Sequence, residues 1–342
     1  YNVVVGDEAG TAITTGDQNV AVGFEALKTT TTAGNNTALG FKALRLNTSG
    51  NANVAVGVVA LGANTTAVDN TAVGYNSLGA NTTGDRNTAL GKNALASNVD
   101  GDRGVAVGYD ALSSQDPSSN ADMYNVGVGY NAGAAVTTGV NNTLIGGLAG
   151  DSITTASYSV AVGQGAATNT TTSSQGFTAV GADSLFTNTT GTDNVAVGRA
   201  SMYSNTTGGN NVAVGRSALQ ANTTASNNTA VGYQSLLANT TGTENSALGR
   251  YSLYTSTTGN YNTSVGTNAL FASTTSSFNT ALGSNALFAN TTADNNTAVG
   301  KSALAANTTG ASNVAVGALA LDANTTASQN TAVGYNALTA TT

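Results

Sequence analysis

The chain contains no cysteine, no histidine and no tryptophan, and it has one proline among 342 residues. Without cysteine no disulfide framework can form. Without histidine or cysteine, the Ser-His-Asp, Cys-His and zinc-ligand arrangements cannot be assembled. A carboxylate pair of the glycosidase type is the one enzymatic option left. We therefore expect a non-enzymatic protein without a cofactor, stabilised by packing and backbone hydrogen bonds.

Charge is also scarce. Charged residues make up 8% of the chain, against roughly 25% in an ordinary soluble domain. The 17 acidic and 10 basic residues are scattered thinly, so there is no basic stripe that could neutralise a nucleic-acid backbone. No apolar run approaches the roughly 18 residues that span a bilayer. We expect neither a nucleic-acid partner nor a membrane span.

A short motif, Asn-(Thr/Val)-Ala-(Val/Leu)-Gly, fills the chain instead. It occurs twenty times, and such repeats indicate a stacked architecture. The spacing is 17 residues, apart from one step of 21 after Gly108 and one of 18 after Gly163. The pattern predicts a single repeat domain over residues 1–342, with an irregular segment at 109–180 and an inserted loop near 113–124.

Each position of the repeat has its own chemistry. With the motif glycine as position 5, position 1 is Asn in seventeen copies, position 3 is Ala in sixteen, position 4 is aliphatic in all twenty and position 9 is Leu in fifteen. Positions 13 and 14 are Thr-Thr in sixteen of the nineteen copies that extend so far. The predicted structural ladders are represented by Asn70, Asn87, Asn228 and Asn296, by Gly74, Gly91, Gly232 and Gly300, and by Leu78, Leu95, Leu236 and Leu304.

The unit favours strands over helices, because each copy carries glycine together with β-branched residues. A 17-residue circuit predicts two short parallel strands and two turns per coil, with coils stacked at roughly 4.8 Å. We therefore expect an all-β parallel β-solenoid of about twenty coils. Equivalent residues would lie above one another, so that the position-1 Asn amides bond along the stack and the glycines supply positive φ angles.

The position-3 Ala column predicts self-association. Neighbouring strand residues point to opposite faces, so an inward position 4 places Ala outward. Sixteen small apolar residues on an outer face indicate a second packed surface and lateral oligomerisation. The opposite orientation, with Ala inward and position 4 outward, would still leave an aliphatic column that needs cover.

The unit at residues 70–86, Asn-Thr-Ala-Val-Gly-Tyr-Asn-Ser-Leu-Gly-Ala-Asn-Thr-Thr-Gly-Asp-Arg, resembles repeats of bacteriophage tail-fibre proteins and of large, adhesin-like bacterial surface proteins. Its core is more distantly similar to the head repeats of trimeric autotransporter adhesins. The resemblance implies an extracellular fibre shaft or adhesive head on a virion or cell surface, a trimer, and a cell-surface glycan or receptor as partner. Because both ends stop within the repeat, we expect a segment of a longer fibre or a subunit that stacks end to end.

Irregular coils offer the first candidate sites. Five acids surround the 21-residue step: Asp100, Asp102, Asp110, Asp116 and Asp122. Asp100 and Asp102 form only a weak candidate for a calcium site, since the spacing of a known loop is absent. An insertion accepted at a turn is the simpler interpretation. Three coils here replace the position-9 Leu, by Gly133, Gly150 and Ala167, which predicts a thinner or differently packed interior.

Aromatic residues at position 10 form the second candidate site, for a glycan or a protein partner: Phe186, Tyr203, Tyr254, Phe271 and Phe288. An aromatic ring can be buried by a ligand while its edge or hydroxyl stays wet, and an oligomer interface would use the same property. The Thr-Thr pairs raise ice binding as an alternative function, but adjacent strand residues point opposite ways, so the pair yields one outward column. A glycan-binding or glycan-cleaving tailspike-like protein is the second alternative.

Overall fold

A computed structural model of the chain describes residues 1–117, 119–171 and 176–339. It contains twenty three-residue strands, one for each copy of the motif, and no helix among the described residues. The first ten are β1 Val3–Val5, β2 Val20–Val22, β3 Thr37–Leu39, β4 Val54–Val56, β5 Thr71–Val73, β6 Thr88–Leu90, β7 Val105–Val107, β8 Val126–Val128, β9 Thr143–Ile145 and β10 Val160–Val162. The second ten are β11 Thr178–Val180, β12 Val195–Val197, β13 Val212–Val214, β14 Thr229–Val231, β15 Ser246–Leu248, β16 Thr263–Val265, β17 Thr280–Leu282, β18 Thr297–Val299, β19 Val314–Val316 and β20 Thr331–Val333.

The chain divides into two compact units, Tyr1–Gly176 and Phe177–Thr342. In the first, β1 to β10 pair successively in parallel. In the second, β11 to β20 do the same. Equivalent residues align, as where Val195 pairs with Val212. The expected all-β parallel β-solenoid is therefore confirmed in each unit.

The expectation of two strands per coil is wrong. Each coil has one strand, and the remaining residues form turns. In the fifth coil, Asn76, Leu78 and Arg86 all have left-handed backbones, with φ of 54°, 48° and 59°. Positions 7, 9 and 17 repeat this conformation in most coils. A strand requires φ near −120°, so the return path of the coil cannot be extended.

The strand points its Ala inward. Position 3 is buried in every coil except the first, as at Ala196, while positions 2 and 4 are half-buried or exposed. The expected outward Ala column is therefore wrong, and the opposite orientation is present. Where Leu stands at position 9, position 3 must be small, because the Leu fills the coil from the other side: in the eighth coil even a Cβ on Gly127 at position 3 would lie 2.7 Å from Leu112 Cγ.

Asparagine side chains join successive coils inside the solenoid. At position 1, Asn228 Oδ1 accepts the backbone N–H of Asn245 at 2.9 Å, and Asn228 Nδ2 donates to the Gly242 carbonyl at 2.9 Å. The predicted ladder is thus confirmed, and Asn70, Asn87 and Asn296 make the equivalent bonds. A second ladder at position 12 was not predicted; there, Asn222 Nδ2 donates to Asn205 Oδ1 at 2.7 Å.

The glycine column marks the closest approach between coils. Gly74 has φ of +137°, and a Cβ at this residue would lie 2.5 Å from the carbonyl oxygen of Gly91 in the next coil. Gly91, Gly232 and Gly300 have equivalent geometry. No side chain fits in this space, and L-residues rarely adopt this backbone conformation. The column therefore needs glycine for both reasons.

The leucine column forms the centre of the interior. Leu78, Leu95, Leu236 and Leu304 are fully buried and have φ between 48° and 52°. A left-handed leucine costs on the order of 1–3 kcal/mol, which burial of the side chain, at about 1.5–3 kcal/mol, offsets. Packing therefore holds this strained backbone in place.

The irregular coils retain a filled interior by exchanging positions. Gly133 and Gly150 stand at position 9 with φ of 60° and 57°, the conformation that Leu adopts elsewhere. The missing volume is supplied by Leu144 at position 3 and by Val136 and Ile153 at position 12, all fully buried. A Cβ on Gly133 would lie 2.6 Å from Leu144 Cδ1. The sequence predicted an interior that is thinner or differently packed in these coils. The structure shows the second of these outcomes.

The 21-residue coil departs from the repeat after Gln115. Gln115 takes position 12 and accepts a hydrogen bond from Asn125 Nδ2 at 2.5 Å. Met123 is fully buried beside Gly104, which replaces the position-1 Asn; a Cβ on Gly104 would lie 2.7 Å from Met123 Cε. Within the predicted irregular segment 109–180, residues 118 and 172–175 lie outside the described residues.

Two adjacent glycines test the close approach between coils. Gly146→Ala at position 5 should lower stability by about 3 kcal/mol or more, because φ is +133° and the Cβ would lie 2.4 Å from the Gly163 carbonyl oxygen. Gly147→Ala should change it by less than about 0.5 kcal/mol, since no atom lies within 4 Å of its Cβ. The denaturant midpoint of each variant gives the comparison. Equal midpoints would contradict the steric argument.

The asparagine ladder predicts a pH-dependent variant. Asn228→Asp should cost on the order of 3 kcal/mol at neutral pH, because it buries a carboxylate against the Gly242 carbonyl. Burial raises the carboxyl pKa in the folded state above its value of about 4 in the unfolded chain, so the deficit relative to wild type should shrink as pH falls from neutral towards about 4, because the folded-state carboxyl becomes protonated in this range and can again donate; below about pH 4 the deficit should change no further. Thermal unfolding across this pH range measures the effect. Exposed Thr241→Asp, in the same coil, should show no such recovery.

Candidate functional site

The outward side of the strands is uncharged along its whole length. Position 2 holds only Thr, Val and one Ser, and position 4 holds only Val, Leu and Ile. We call these two columns the sheet face. Several of its large side chains are exposed, among them Leu90 at 48% and Leu248 at 50%. Each unit therefore presents a continuous strip of aliphatic and hydroxyl-bearing side chains to its surroundings.

The five aromatic residues predicted as a contact site form two separate stacks. Phe186 and Tyr203 lie 5.0 Å apart with ring planes 2° from parallel. Tyr254, Phe271 and Phe288 form a continuous stack with separations of 5.1 and 5.2 Å. Because stacked rings cover one another's faces, each stack presents mainly its ring edges to solvent. A free ring face is available only where a stack ends.

Other aromatic stacks were not predicted. At position 6, Phe24 stacks on Phe41 at 5.4 Å and Tyr109 on Tyr130 at 5.5 Å. At position 17, exposed Tyr261 and Phe278 stack at 5.1 Å. Each of these stacks consists of aromatic residues at the same repeat position in consecutive coils, so a comparison of the sequence position by position could have found them.

Cations lie against several of these rings. Lys42 Nζ is 4.8 Å from the centre of the Phe41 ring, and Lys92 Nζ is 5.3 Å from that of Tyr109. Arg216 lies 5.7 Å from the ring of Tyr233. Such contacts at exposed sites contribute about 0.5–1 kcal/mol each. They fix charged side chains on the surface without requiring a ligand.

The main charge cluster lies in the first three coils. Glu25 is 2.7 Å from Lys28 Nζ and 3.4 Å from an Arg45 guanidinium nitrogen. The hydrogen bond from Lys28 lowers the pKa of Glu25, and the same bond raises the pKa of Lys28. Lys28 also pairs with Glu8. These charges are satisfied within the cluster.

A furrow runs between the columns at positions 7 and 10. Residues 8 and 9 point inward, so the outward side chains on either side of them leave a groove. Its depth depends on the size of residue 10. In the first unit, Gly62 and Gly79 leave a cavity of about 290 Å³. In the second unit, a cavity of about 330 Å³ lies in the furrow beside Phe288. A cavity of about 350 Å³ beside Gln220 lies outside the furrow, because positions 10 and 11 line it.

The acids around the 21-residue coil are held by neighbours. Asp102 accepts the backbone N–H of Asp85 at 2.7 Å and lies 3.3 Å from an Arg86 guanidinium nitrogen. Asp122 forms an ion pair with Arg103, and the backbones of Asp102 and Asp122 form a parallel β-bridge. Both carboxylates therefore have cationic partners of their own.

Asp100, the other weak metal candidate, is in a different environment. Its Oδ1 is buried without a hydrogen-bond partner, and burial, followed by the charge of Asp116, raises the pKa of its carboxyl. Across residues 1–117, 119–171 and 176–339, no group of three or more acidic, His or Cys side chains is placed to hold a metal ion. The structure therefore does not bring Asp100 and Asp102 together with a third ligand.

The paired threonines occupy a turn and not a strand. At position 13, Thr206 Oγ1 donates to the carbonyl of Thr223 at 2.9 Å, and Thr223 Oγ1 to that of Thr240 at 3.0 Å. These hydroxyl hydrogens are used in bonds between coils. Position 14 is exposed, as at Thr207 and Thr224. The position-14 threonines therefore form one outward column.

Comparison with known proteins adds no relative. No protein-family model matches the chain, and no curated protein is significantly similar to it. None of the described residues lies in a helix that is long and apolar enough to cross a membrane.

Proposed function

We propose that this chain is a non-enzymatic structural segment of an extracellular fibre, on a virion or a cell surface, which self-associates laterally through its sheet face. The observation that carries the proposal is the absence of any charged residue from positions 2 and 4 in all twenty coils. The location rests on the resemblance of the repeat to fibre and surface-protein repeats.

The dimensions of the sheet face support an interface. Ten strands at about 4.8 Å give a strip roughly 48 Å long, and three residues at about 3.3 Å make it roughly 10 Å wide. Each unit therefore presents on the order of 480 Å², comparable to the largest apolar patch on a typical monomer. One strip is more than half of the roughly 800 Å² that each partner contributes to a stable complex.

The interior supports a structural role. Hydrogen bonds from the Asn ladders and the strands join each coil to the next within a unit, so no coil can bend or shift without breaking several of them. A rigid shaft needs such a continuous hydrogen-bonded interior.

Solution mass tests this proposal. Sedimentation velocity of the chain should show an oligomer at micromolar concentrations, and the resemblance to trimeric adhesins predicts three times the chain mass of 33.5 kDa. Lysine at Val197, Val214 and Val231, three neighbouring position-4 residues of the sheet face, should reduce the mass to that of a monomer. The reason is that each lysine would place an unpaired charge in the interface.

The matched control places lysine at exposed Thr207, Thr224 and Thr241, at position 14 of the same three coils. This variant should retain the wild-type mass. Circular dichroism must show that both variants keep the strand content of the wild type. A monomeric wild type, or equal masses for the two variants, would rule out association through the sheet face.

Ice binding is the alternative that the threonine columns raise. The position-13 hydroxyl hydrogens are occupied by carbonyls of the next coil, and position 2 mixes Thr with Val in irregular order. Position 14 remains as one exposed threonine column, and a single column of hydroxyl groups does not form the two-dimensional array that would match a water lattice. We therefore expect no thermal hysteresis from the purified chain, and a measurable freezing-point gap would favour ice binding over the fibre.

A further inference from the structure

The stack Tyr254–Phe271–Phe288 ends at a cavity of about 330 Å³. One side of this cavity is formed by Phe288 and Ala305 of position 10, and the other by Asn268, Asn285 and Ser302 of position 7. It therefore lies in the furrow, and none of its residues belongs to the sheet face. We propose that this cavity binds a neutral pyranose unit of a glycan.

Phe288 supplies the apolar surface. Phe271 stacks on one face of its ring at 5.2 Å, while the next residue of the column, Ala305, carries only a methyl group. The other ring face is therefore available at the cavity, and the residue is 38% exposed. The face of an aromatic ring carries negative potential, which attracts the C–H groups on the flat side of a pyranose.

The opposite wall supplies hydrogen bonds. Asn268 Nδ2 donates to Asn285 Oδ1 at 3.1 Å, which fixes both amides. Within the described chain, Asn285 Nδ2 and the Ser302 hydroxyl have no hydrogen-bond partner, so they are available to a ligand. An amide donor and a hydroxyl group match neighbouring sugar hydroxyls, which both donate and accept.

The apolar ring face and the hydrogen-bonding wall together determine which class of ligand fits the cavity. None of the five lining residues is charged, so an acidic or basic ligand would find no counter-charge. A purely apolar ligand would leave the Asn285 amide and the Ser302 hydroxyl without partners. The volume is at the low end for ligand cavities, which suits one or two sugar units. A neutral pyranose has both the apolar side and the hydroxyl groups.

The second stack provides an internal comparison. Phe186 and Tyr203 are also stacked at position 10, but Asp183, Ala200 and Ser217 occupy position 7 in that region. The Phe186–Tyr203 stack therefore has aromatic rings, but the position-7 residues opposite it are not hydrogen-bonded amide side chains. If stacking alone were sufficient, both stacks would bind sugar; we assign binding to the Phe288 cavity alone.

Ligand-observed NMR on the full chain tests the proposal. The probes are the methyl glycosides of glucose, galactose, mannose and N-acetylglucosamine at millimolar concentration. At least one should receive saturation from the protein, strongest at the C–H protons of one ring side. Phe288→Ala should weaken its binding about tenfold. Ala305→Phe should abolish binding, because an added ring continues the stack and fills the cavity.

Tyr203→Ala is the matched control, since it removes a stacked position-10 ring far along the same unit, and it should bind as the wild type does. Binding of none of the glycosides, equal binding by Phe288→Ala and the wild type, or an equal loss in Tyr203→Ala would each overturn the proposal. So would a lower oligomer mass of Phe288→Ala in sedimentation, because it would assign the cavity to an interface between chains.

Discussion

The hydrogen bonds between successive coils are the constraint on which the rest of the structure depends. They join residues 16 or 18 apart, such as Thr229 N to Asn245 O at 2.8 Å and Gly232 N to Val214 O at 2.8 Å, and so align residues 17 apart, as where Thr229 pairs with Ser246. Each residue therefore lies directly against its equivalents in the neighbouring coils. An inward position therefore favours a side chain that packs or bonds with its equivalent in the next coil, which in most coils is a copy of itself. Asn meets this requirement by bonding to the next Asn, and glycine by leaving room for the next backbone.

Volume inside the coil is conserved even where residues are not. In most coils Leu at position 9 faces Ala at position 3, with a polar residue at position 12. In the first coil Val4, Gly10 and Ile13 stand at positions 3, 9 and 12, and in the ninth coil Leu144, Gly150 and Ile153 do. The backbone does not change, because Gly10 has φ of 53°, close to the value of leucine in other coils. Interiors pack at nearly crystalline density, so a large residue on one side of the coil requires a small one on the other.

Period and composition were sufficient to predict the solenoid and the position-1 ladder, but not which way the strand faces. The alternation of side chains along a strand shows that positions 3 and 4 point to opposite faces of the sheet. It does not show which of the two faces the interior. That choice is decided by Leu at position 9, and its contact with position 3 is a property of the folded coil. The single strand per coil was missed because many left-handed residues of the return path, such as Val59, Leu78 and Arg86, are not residue types that favour this conformation. The position-12 ladder, by contrast, was visible as Asn in eleven coils.

The outward columns provide an internal test of what the surface does. Since the interior alone maintains the register of the coils, an outward position in contact with water has little restriction on its side chain. Columns 7 and 10 show this freedom: they include acids, bases, aromatic rings and glycine, for example Glu25, Lys42 and Tyr251 in column 7. Columns 2 and 4 also point outward, yet they contain no charge and no ring in twenty coils. β-Propensity explains the β-branched residues in them, but it does not exclude aromatic side chains, which strands also favour. An interface between two closely packed sheet faces disfavours unpaired charge and leaves little room for large rings, and this is the physical reason to expect that the sheet face is covered.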